Sequence, residues 1–312
     1  MVGPEMRKVS IIVPVYYNEP SLPLLFARLQ EVERQLQAQG LDLELVFVDD
    51  GSGDGSLDEL LKIRQQRPAT RVIKLARNFG AVRAAKAGAQ FVTGDCFGFL
   101  AADLQDPPEI IVQMAGLWQA GSKFVICVRA HRDDPVLSRL FSSLYYRLVR
   151  LYVARGFPDG GYDLALMDSA MLPYLLRSGK TIYLPVFLYS LGFKPTVMTY
   201  ERQKRPFGRS RWTFGKRLAA ALDVLLGFSI IPIRVISVTG VVVALGSFGY
   251  GLIVVANTLL SGSIVPGFAT LVVFISFLLG LVIIMLGVIG EYVWRIFEEV
   301  NARPEAVIEA VY

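Results

Sequence analysis

The sequence contains very little of the nitrogen and sulfur chemistry that many metal and redox enzymes need. Its 312 residues include one histidine, His131, and two cysteines, Cys96 and Cys127, without metal-binding spacing. A single histidine cannot form a zinc site with several histidine ligands, and it leaves only one candidate for a Ser-His-Asp triad, so both are disfavoured. No secretory signal is recognisable, so we expect a reducing compartment in which both cysteines are free core residues.

Two common phosphate-binding motifs are also missing. The first turn after an apolar strand reads Tyr16-Tyr17-Asn18-Glu19 in place of G-x-G-x-x-G, and no G-x-x-x-x-G-K-[ST] motif occurs. These absences disfavour a dinucleotide-binding enzyme and a P-loop NTPase.

Charged residues are absent from two long C-terminal stretches, 235–260 and 261–290. Each is longer than the roughly 20 residues that a membrane-spanning helix needs. Turn-type residues at 261–267 separate the apolar parts. The pattern predicts a transmembrane hairpin with spans at about 233–260 and 265–290. A buried hairpin in a soluble protein is the alternative.

Basic residues are concentrated just before these stretches. The net charge is +5, and residues 194–217 contain eight basic side chains against one acid, Glu201. The loop between the spans has no Lys or Arg, whereas Arg295 and Arg303 follow the second span. The positive-inside rule then places residues 1–230 and both termini in the cytoplasm, with the spans in the bacterial inner membrane. The basic cluster suits phosphates or anionic lipid better than nucleic acid.

Strand-type and helix-type patterns alternate in the first 130 residues. Strands are predicted at 9–15, 43–48, 71–75, 97–100 and 124–128, and helices at 20–39, 56–66, 81–91 and 108–119. Ser56 is expected to cap its helix, and Lys86 is expected on an exposed helix face. This alternation predicts parallel pairing in an open α/β sheet, with ligands at the carboxyl ends of the strands.

Acidic residues follow two of these strands. Asp49 and Asp50 end the second strand, and Asp103 and Asp106 follow the fourth, where Pro107-Pro108 stops the ladder. The hard carboxylate oxygens of Asp103 and Asp106 suit Mg²⁺ or Mn²⁺. A capped turn before a helix is the alternative interpretation of the second pair.

Four ordered segments resemble the inverting GT-A nucleotide-sugar glycosyltransferases of family 2. They lie at 13–19, 48–52, 102–109 and 160–164. The two spans and the segments at 290–295 and 301–304 are similar to polyprenyl-phosphate glycosyltransferases. The likeness is greatest to the bactoprenol (undecaprenyl-phosphate) glucosyltransferases of O-antigen modification, with dolichyl-phosphate mannose synthases as further relatives. The resemblance implies a Rossmann-like open mixed sheet with helices on both faces, amphipathic juxtamembrane helices and the two-helix hairpin.

The resemblance also implies roles for individual residues. The donor nucleotide sugar would be bound by Pro14, Tyr16, Glu19, Asp49, Asp50, Arg77, Ala102, Asp103 and Gln105. Mg²⁺ or Mn²⁺ would be held by Asp103, with Asp106 as a further candidate. The usual first acid of the family's Asp-x-Asp motif is Ala101 here, so the metal would rest on one main carboxylate, the pyrophosphate and water.

On the acceptor side, Asp163 matches the family's catalytic acid, and Asp159 is the competing candidate. The acceptor phosphate would be bound by Arg202, Arg205, Ser210 and Arg211, although a basic surface that only attracts lipid is the alternative. Because a phosphomonoester with a second pKa of about 6 arrives largely as a dianion, positioning should matter more than proton removal.

The expected domains are a GT-A domain at 1–200, a juxtamembrane segment at 201–230 with an amphipathic helix at 213–227, the spans at 231–291 and a tail at 292–312. Small-residue faces in the spans are compatible with a homo-oligomer. The implied reaction is transfer of a hexose, preferably glucose from UDP-glucose, to undecaprenyl phosphate. GDP-mannose with a dolichyl-type phosphate, UDP-aminoarabinose, and a catalytically dead membrane scaffold or lipid-binding protein remain alternatives.

Overall fold

The computed structural model describes residues 6–130, 143, 146–147, 149–151, 154–180, 182–204, 206–207, 231–261, 267–301 and 303–312. The chain forms two compact units. One contains a sheet with its helices and includes Arg303–Tyr312, and the other contains two long helices.

The described strands and helices follow the predicted alternation closely. The strands are β1 Arg7–Val15, β2 Leu41–Asp49, β3 Arg71–Leu75, β4 Cys96–Phe99, β5 Phe124–Arg129, β6 Leu164–Asp168, β7 Thr196–Tyr200 and β8 Ile308–Val311. The helices are α1 Leu22–Ala38, α2 Ser56–Gln66, α3 Ala81–Ala89, α4 Ile110–Gln119, α5 Leu172–Leu176, α6 Leu184–Ser190, α7 Ile231–Ser261 and α8 Phe268–Val300.

The eight strands form one mixed sheet in the order β7-β5-β6-β4-β1-β2-β3-β8. β1 pairs in parallel with β2 and β4, β2 with β3, and β5 with β7. β6 is antiparallel to β4 and β5, and β8 is antiparallel to β3. The predicted open mixed α/β sheet is confirmed. Pairing is not parallel throughout, because β6 and β8 do not enter the sheet through the one-helix crossovers that enforce parallel direction.

Helices cover both faces of the sheet. On one face, Ile11 and Phe47 belong to a buried apolar cluster that also contains Leu29 of α1, Leu60 of α2 and Met114 of α4. Strand side chains alternate between faces, so the next residue, Ile12, points to the opposite face. There α3 approaches so closely that Gly88 leaves no room for a Cβ. Cys96 and Cys127 are buried and free, as predicted.

Two local expectations were wrong. Lys86 is not on an exposed helix face: it is 5% exposed, because α3 packs its polar flank against the end of the chain. Ser56 is the first residue of α2 and not its cap. Its hydroxyl instead accepts a hydrogen bond from the Asn18 amide at 2.9 Å, which ties the first two strand-to-helix turns together.

The end of the chain is a strand of the sheet and not a simple tail. β8 pairs with β3, and the backbones of Val72 and Tyr312 exchange two hydrogen bonds of 3.1 and 2.8 Å. Lys74 on β3 and Glu309 on β8 form an exposed ion pair at 2.6 Å. A four-residue strand that is formed by pairing across the whole chain leaves little periodic signal, which explains why the sequence did not predict it.

The second unit contains the two predicted apolar helices. α7 and α8 pack together through contacts such as the stacked rings of Tyr250 and Phe274, 5.9 Å apart. Within α8, the 24-residue stretch Phe277–Val300 contains an 18-residue window with a mean hydropathy of 2.2, and it is long and apolar enough to cross a membrane. α7 contains a shorter apolar stretch, Ile236–Gly251. The turn at 262–266 lies outside the described residues.

The packing of α3 makes a testable prediction for stability. In Gly88→Ala the new Cβ would lie 2.7 Å from Ile12 Cγ2 and 2.8 Å from Val48 Cγ2, and such overpacking costs about 1–3 kcal/mol. Gly116→Ala in α4 is the control, because nothing lies within 4 Å of its Cβ and a helical Gly→Ala change stabilises by about 0.4–1 kcal/mol. Thermal unfolding should give a lower Tm for Gly88→Ala alone; equal Tm values would contradict this packing.

Candidate active site

The strand directions bring the candidate residues to one edge of the sheet. β1, β2, β3 and β4 all end there, and so do β5 and β7, because β6 reverses direction between β4 and β5. β6 and β8 begin at this edge. The candidate side chains that follow or precede these strand ends are Asp49, Asp50, Arg77, Asp103, Asp106, Asp163 and Arg202. The predicted gathering of strand-end acids is therefore present.

The acid turn after β4 is compact and strained. The Asp103 carboxylate accepts a hydrogen bond from the Gln105 amide at 3.1 Å. Between them, the buried Leu104 has a φ of 60°, a left-handed conformation that costs a bulky residue about 1–3 kcal/mol. The Ser21 hydroxyl donates to the Ala102 carbonyl at 2.8 Å. The turn is thus fixed by its own backbone and by the start of α1.

The turn after β1 is fixed by its own side chains and by the turn after β2. The Tyr16 amide donates to Asn18 Oδ1 at 3.0 Å, and the Tyr17 amide donates to the Ser52 hydroxyl at 3.1 Å. Tyr17 has a φ of 56°, and its ring meets that of Tyr16 edge to face, with centroids 4.7 Å apart. The Glu19 carboxylate accepts from the Gly55 amide at 2.9 Å. Glu19, a predicted donor contact, therefore also holds the turn before α2.

The two acids after β2 bind neighbouring backbone. Asp49 and Asp50 are 1% and 2% exposed, and burial raises the pKa of both carboxyls. Asp49 accepts from the Ser52 amide at 3.3 Å. Asp50 accepts from the amides of Phe79 and Gly80 at 2.7 and 2.9 Å and from the Asn78 side chain at 3.1 Å. Asp50 thereby fixes the loop that carries Arg77, and the Arg77 guanidinium lies 4.3 Å from the centre of the Phe79 ring.

The two candidate catalytic acids differ in their surroundings. Asp163, just before β6, makes a two-pronged ion pair with Arg129 at the end of β5, with distances of 2.7 and 2.5 Å. Although burial opposes it, the hydrogen bond to Asp163 and the charge of that carboxylate raise the pKa of Arg129. The side chain of Asp159 is 89% exposed and pairs with Arg150. Of the two acids, Asp163 lies directly at the strand edge.

A polar cluster joins the acid turn to the segment after β7. The Tyr200 hydroxyl donates to Asp106 Oδ1 at 2.6 Å, and Arg202 Nε lies 3.3 Å from the same oxygen. Arg202 Nη2 donates to Gln105 Oε1 at 3.1 Å, and the Gln203 amide donates to the Gln105 carbonyl at 2.8 Å. Burial raises the pKa of Asp106, although the bond from Tyr200 opposes it. Asp106, a predicted metal ligand, is engaged in holding Arg202.

The described acids fit a metal site with one protein carboxylate. Among the described residues no group of three or more His, Cys, Asp or Glu side chains converges. Asp103 is partly exposed at the strand edge, whereas Asp106 is buried against Tyr200 and Arg202. A Mg²⁺-type ion that takes one carboxylate and completes its shell with substrate phosphates and water fits this donor set.

Part of the predicted acceptor site lies outside the described residues. Arg205, Ser210, Arg211 and the amphipathic helix at 213–227 belong to this part of the chain. Their roles remain predictions.

Three residues at this edge of the sheet were not predicted from the sequence. Arg129 ends β5, so the same strand-end rule that selected the acids could have found it. Tyr200 ends β7, a strand that the sequence analysis did not predict. The sequence around Ser21 indicates only the start of a helix. Its hydrogen bond to Ala102, 81 residues away, could not be predicted from neighbouring residues.

Comparison with known proteins identifies the family. Residues 10–172 match the family described as "Glycosyl transferase family 2". The chain belongs to glycosyltransferase family 2. It is therefore a glycosyltransferase. The side chains at the carboxyl ends of its strands are its candidate substrate contacts.

Related proteins match this glycosyltransferase over nearly its whole length. The bactoprenol glucosyl transferase of Shigella phage SfX is 31% identical over 97% of this chain and 99% of its own. The undecaprenyl-phosphate 4-deoxy-4-formamido-L-arabinose transferase of Photorhabdus laumondii is 30% identical over 98% and 95%. A solved glucosyl-3-phosphoglycerate synthase of Mycobacterium tuberculosis, in complex with Mn²⁺, UDP-glucose and phosphoglyceric acid, aligns over 70% of this chain and 78% of that chain, with 15% identity and a TM-score of 0.47.

The contact between α1, the start of α4 and the segment after β7 makes a prediction for pH dependence. Arg28 donates to both Glu109 oxygens at 2.8 and 2.6 Å and to Gln203 Oε1 at 3.3 Å. The hydrogen bond from Arg28 lowers the pKa of Glu109 below its ordinary 4.5. The stabilisation is therefore present above pH 4.5 and is lost as the pH falls through the lowered value.

Glu109→Gln should lower the unfolding free energy at neutral pH and flatten its decrease below pH 4.5. Denaturant unfolding as a function of pH measures both effects. Glu201→Gln, at an exposed position near Gln203, should reproduce the wild-type curve. Coinciding curves for Glu109→Gln and wild type would show that the pair with Arg28 does not contribute to stability.

Proposed function

We propose that this enzyme transfers a hexose from a nucleoside-diphosphate sugar to a polyprenyl phosphate, with inversion, at the membrane surface. UDP-glucose and undecaprenyl phosphate are the favoured substrates, as the names of its near full-length relatives suggest. The observation that carries the proposal is that Arg202 and Gln203 both donate hydrogen bonds to Gln105. It links the segment proposed for the acceptor phosphate directly to the turn proposed for the donor.

The reaction needs orientation and charge compensation more than a strong base. A phosphate oxygen of the acceptor forms a bond to the anomeric carbon, and the bond from that carbon to the donor pyrophosphate breaks, so that a nucleoside diphosphate leaves. Because the acceptor's second pKa is about 6, its attacking oxygen is already ionised near neutral pH. Arg202 would hold this dianion, and a guanidinium suits phosphate because it can donate two parallel hydrogen bonds.

The acids of the edge would then have distinct roles. Asp103 would hold Mg²⁺ or Mn²⁺ together with the donor phosphates, and the ion supplies neutralisation of the charge that develops on the leaving pyrophosphate. Asp163, bound to Arg129 by two hydrogen bonds, would orient that guanidinium and balance its charge. Asp50 would keep Arg77 at the donor side through its bonds to the loop.

The sheet also supports the proposed membrane topology. β7 precedes the apolar helices, β8 follows them, and both belong to one sheet. The chain between them must therefore cross the membrane an even number of times, which favours two spans over one. Together with the basic cluster before α7, this supports a catalytic domain and both termini on the cytoplasmic side.

Asp103→Asn tests the donor side of the site. In detergent-solubilised protein with undecaprenyl phosphate and Mg²⁺ or Mn²⁺, transfer of label from UDP-glucose should fall about 10²–10³-fold, the typical loss when one electrostatic stabiliser is removed. The control is Asp42→Asn, since Asp42 lies near the start of β2 at the opposite edge. GDP-mannose and UDP-aminoarabinose form the other arms of the donor screen. If no donor labels the lipid with the wild-type protein, the proposed function is wrong.

Tyr200→Phe tests the acceptor side. Burial raises the pKa of the Asp106 carboxyl and the hydrogen bond from the Tyr200 hydroxyl opposes this rise, so loss of the hydroxyl should favour the neutral acid and weaken the ion pair with Arg202. The KM for the lipid acceptor should then rise several-fold, while UDP binding is unchanged. The lost hydrogen bond to a buried carboxylate should also cost about 1–3 kcal/mol of stability. Tyr174→Phe is the matched control, because Tyr174 is 54% exposed. A higher KM for the donor alone would contradict the role of Tyr200.

A further inference from the structure

A buried ion pair connects α3 to the segment that leads into β8. Lys86 Nζ lies 2.8 and 2.6 Å from the two carboxylate oxygens of Glu305, with side chains 7% and 26% exposed. Lys86 also donates to the carbonyls of Ser178 and Gly179 at 3.0 and 3.3 Å. An ammonium group has three hydrogens to donate, so this pair and its two carbonyls use its full capacity.

Apolar packing is thin where this pair lies. A cavity of about 380 Å³ opens beside it, lined by Arg83, Gln90, Leu176 and Pro304 among others. Because this pocket is open and large enough for water, the side chains around it pack against little protein on that side. The ion pair is therefore a main contact between α3 and the C-terminal segment at this point.

The same C-terminal segment touches both sides of the loop 77–80. Before the loop, the Ala76 amide donates to the Val307 carbonyl at 2.9 Å. After the loop, α3 begins at Ala81 and carries Lys86 to Glu305. The Asp50 carboxylate holds the middle of the loop from the sheet side. The loop is thus held at three points, two of which belong to the end of the chain.

We propose that Lys86 and Glu305 are positioning residues for nucleotide binding. They act through the loop 77–80 by locking α3 to the chain segment that follows α8. The inference rests on the proposed function in one respect only, that Arg77 in this loop contacts the donor. It adds a dependence of the donor side on the C-terminal segment, which a tail without structure would not have.

Two Glu→Gln variants in the same segment separate positioning from general electrostatics. Glu305→Gln removes the charge that faces Lys86. Glu309→Gln removes the charge of the exposed pair with Lys74, which joins β8 to β3 at 2.6 Å with side chains 29% and 48% exposed. Both variants change the net charge equally, and only the first touches α3.

Calorimetry with UDP and Mg²⁺ or Mn²⁺ on the full chain in detergent measures nucleotide affinity. Glu305→Gln should weaken UDP binding about three- to tenfold, the range of coupling that residues outside a site commonly exert. The KM for the nucleotide sugar should rise by the same factor, and the KM for the lipid acceptor should not change. Glu309→Gln should match wild type. A lower Tm for Glu305→Gln with unchanged UDP affinity would show a purely structural role and overturn the proposal.

Hydrogen exchange without nucleotide tests the loop link independently of catalysis. In Glu305→Gln the amides of Phe79 and Gly80, which bind Asp50, should exchange faster than in wild type and Glu309→Gln. Wild-type exchange rates at these amides would overturn the proposal, even if UDP binds. If the wild-type protein binds neither UDP nor GDP, the proposed function is wrong, and the exchange rates still decide the link. Should Glu305→Gln not fold, Glu305→Asp gives the same comparison with a smaller expected effect, because it keeps the charge on a shorter side chain.

Discussion

The common direction of six strands is the constraint on which the candidate site depends. β1 to β5 and β7 all end at one edge, and β6 and β8 begin there, so residues far apart in the chain meet without long loops. Each turn at this edge then binds its neighbour. Ser21 bonds to Ala102, Asp50 bonds to the loop after β3, and Arg202 bonds to Gln105. The turns of the candidate site are therefore tied to one another by hydrogen bonds between residues far apart in the chain.

Much of this arrangement could be predicted from local sequence signals. Apolar runs that end in acids identified β2 and β4, and the strand-end rule put Asp49 and Asp103 at the same edge. The role of Asp106 could not be predicted, because it depends on Tyr200, 94 residues away. Lys86 was placed on an exposed face for the same reason. Its partner Glu305 follows it by 219 residues, and no helical periodicity reveals such a pair.

The structure favours Asp103 over Asp106 as the candidate metal ligand. Ala101 removes the usual first acid of the family motif, and Asp106 is bound to Tyr200 and Arg202. Asp103 is left as the partly exposed carboxylate of the acid turn. A donor pyrophosphate would then complete the metal's shell, which would make metal and donor binding interdependent. On the side proposed for the acceptor, the guanidinium groups of Arg129 and Arg202 would supply positive charge, and each of them is paired with an acid.

We propose that the turn after β4, for the donor, and the segment after β7, for the acceptor, form one site through Gln105 and Arg202. A structure of the full chain with UDP, Mn²⁺ and a polyprenyl phosphate tests it most directly. We expect Mn²⁺ at the Asp103 carboxylate, UDP over the ends of β1 and β2, and the lipid phosphate at Arg202. A lipid phosphate bound away from Arg202, or Mn²⁺ held without Asp103, would contradict it.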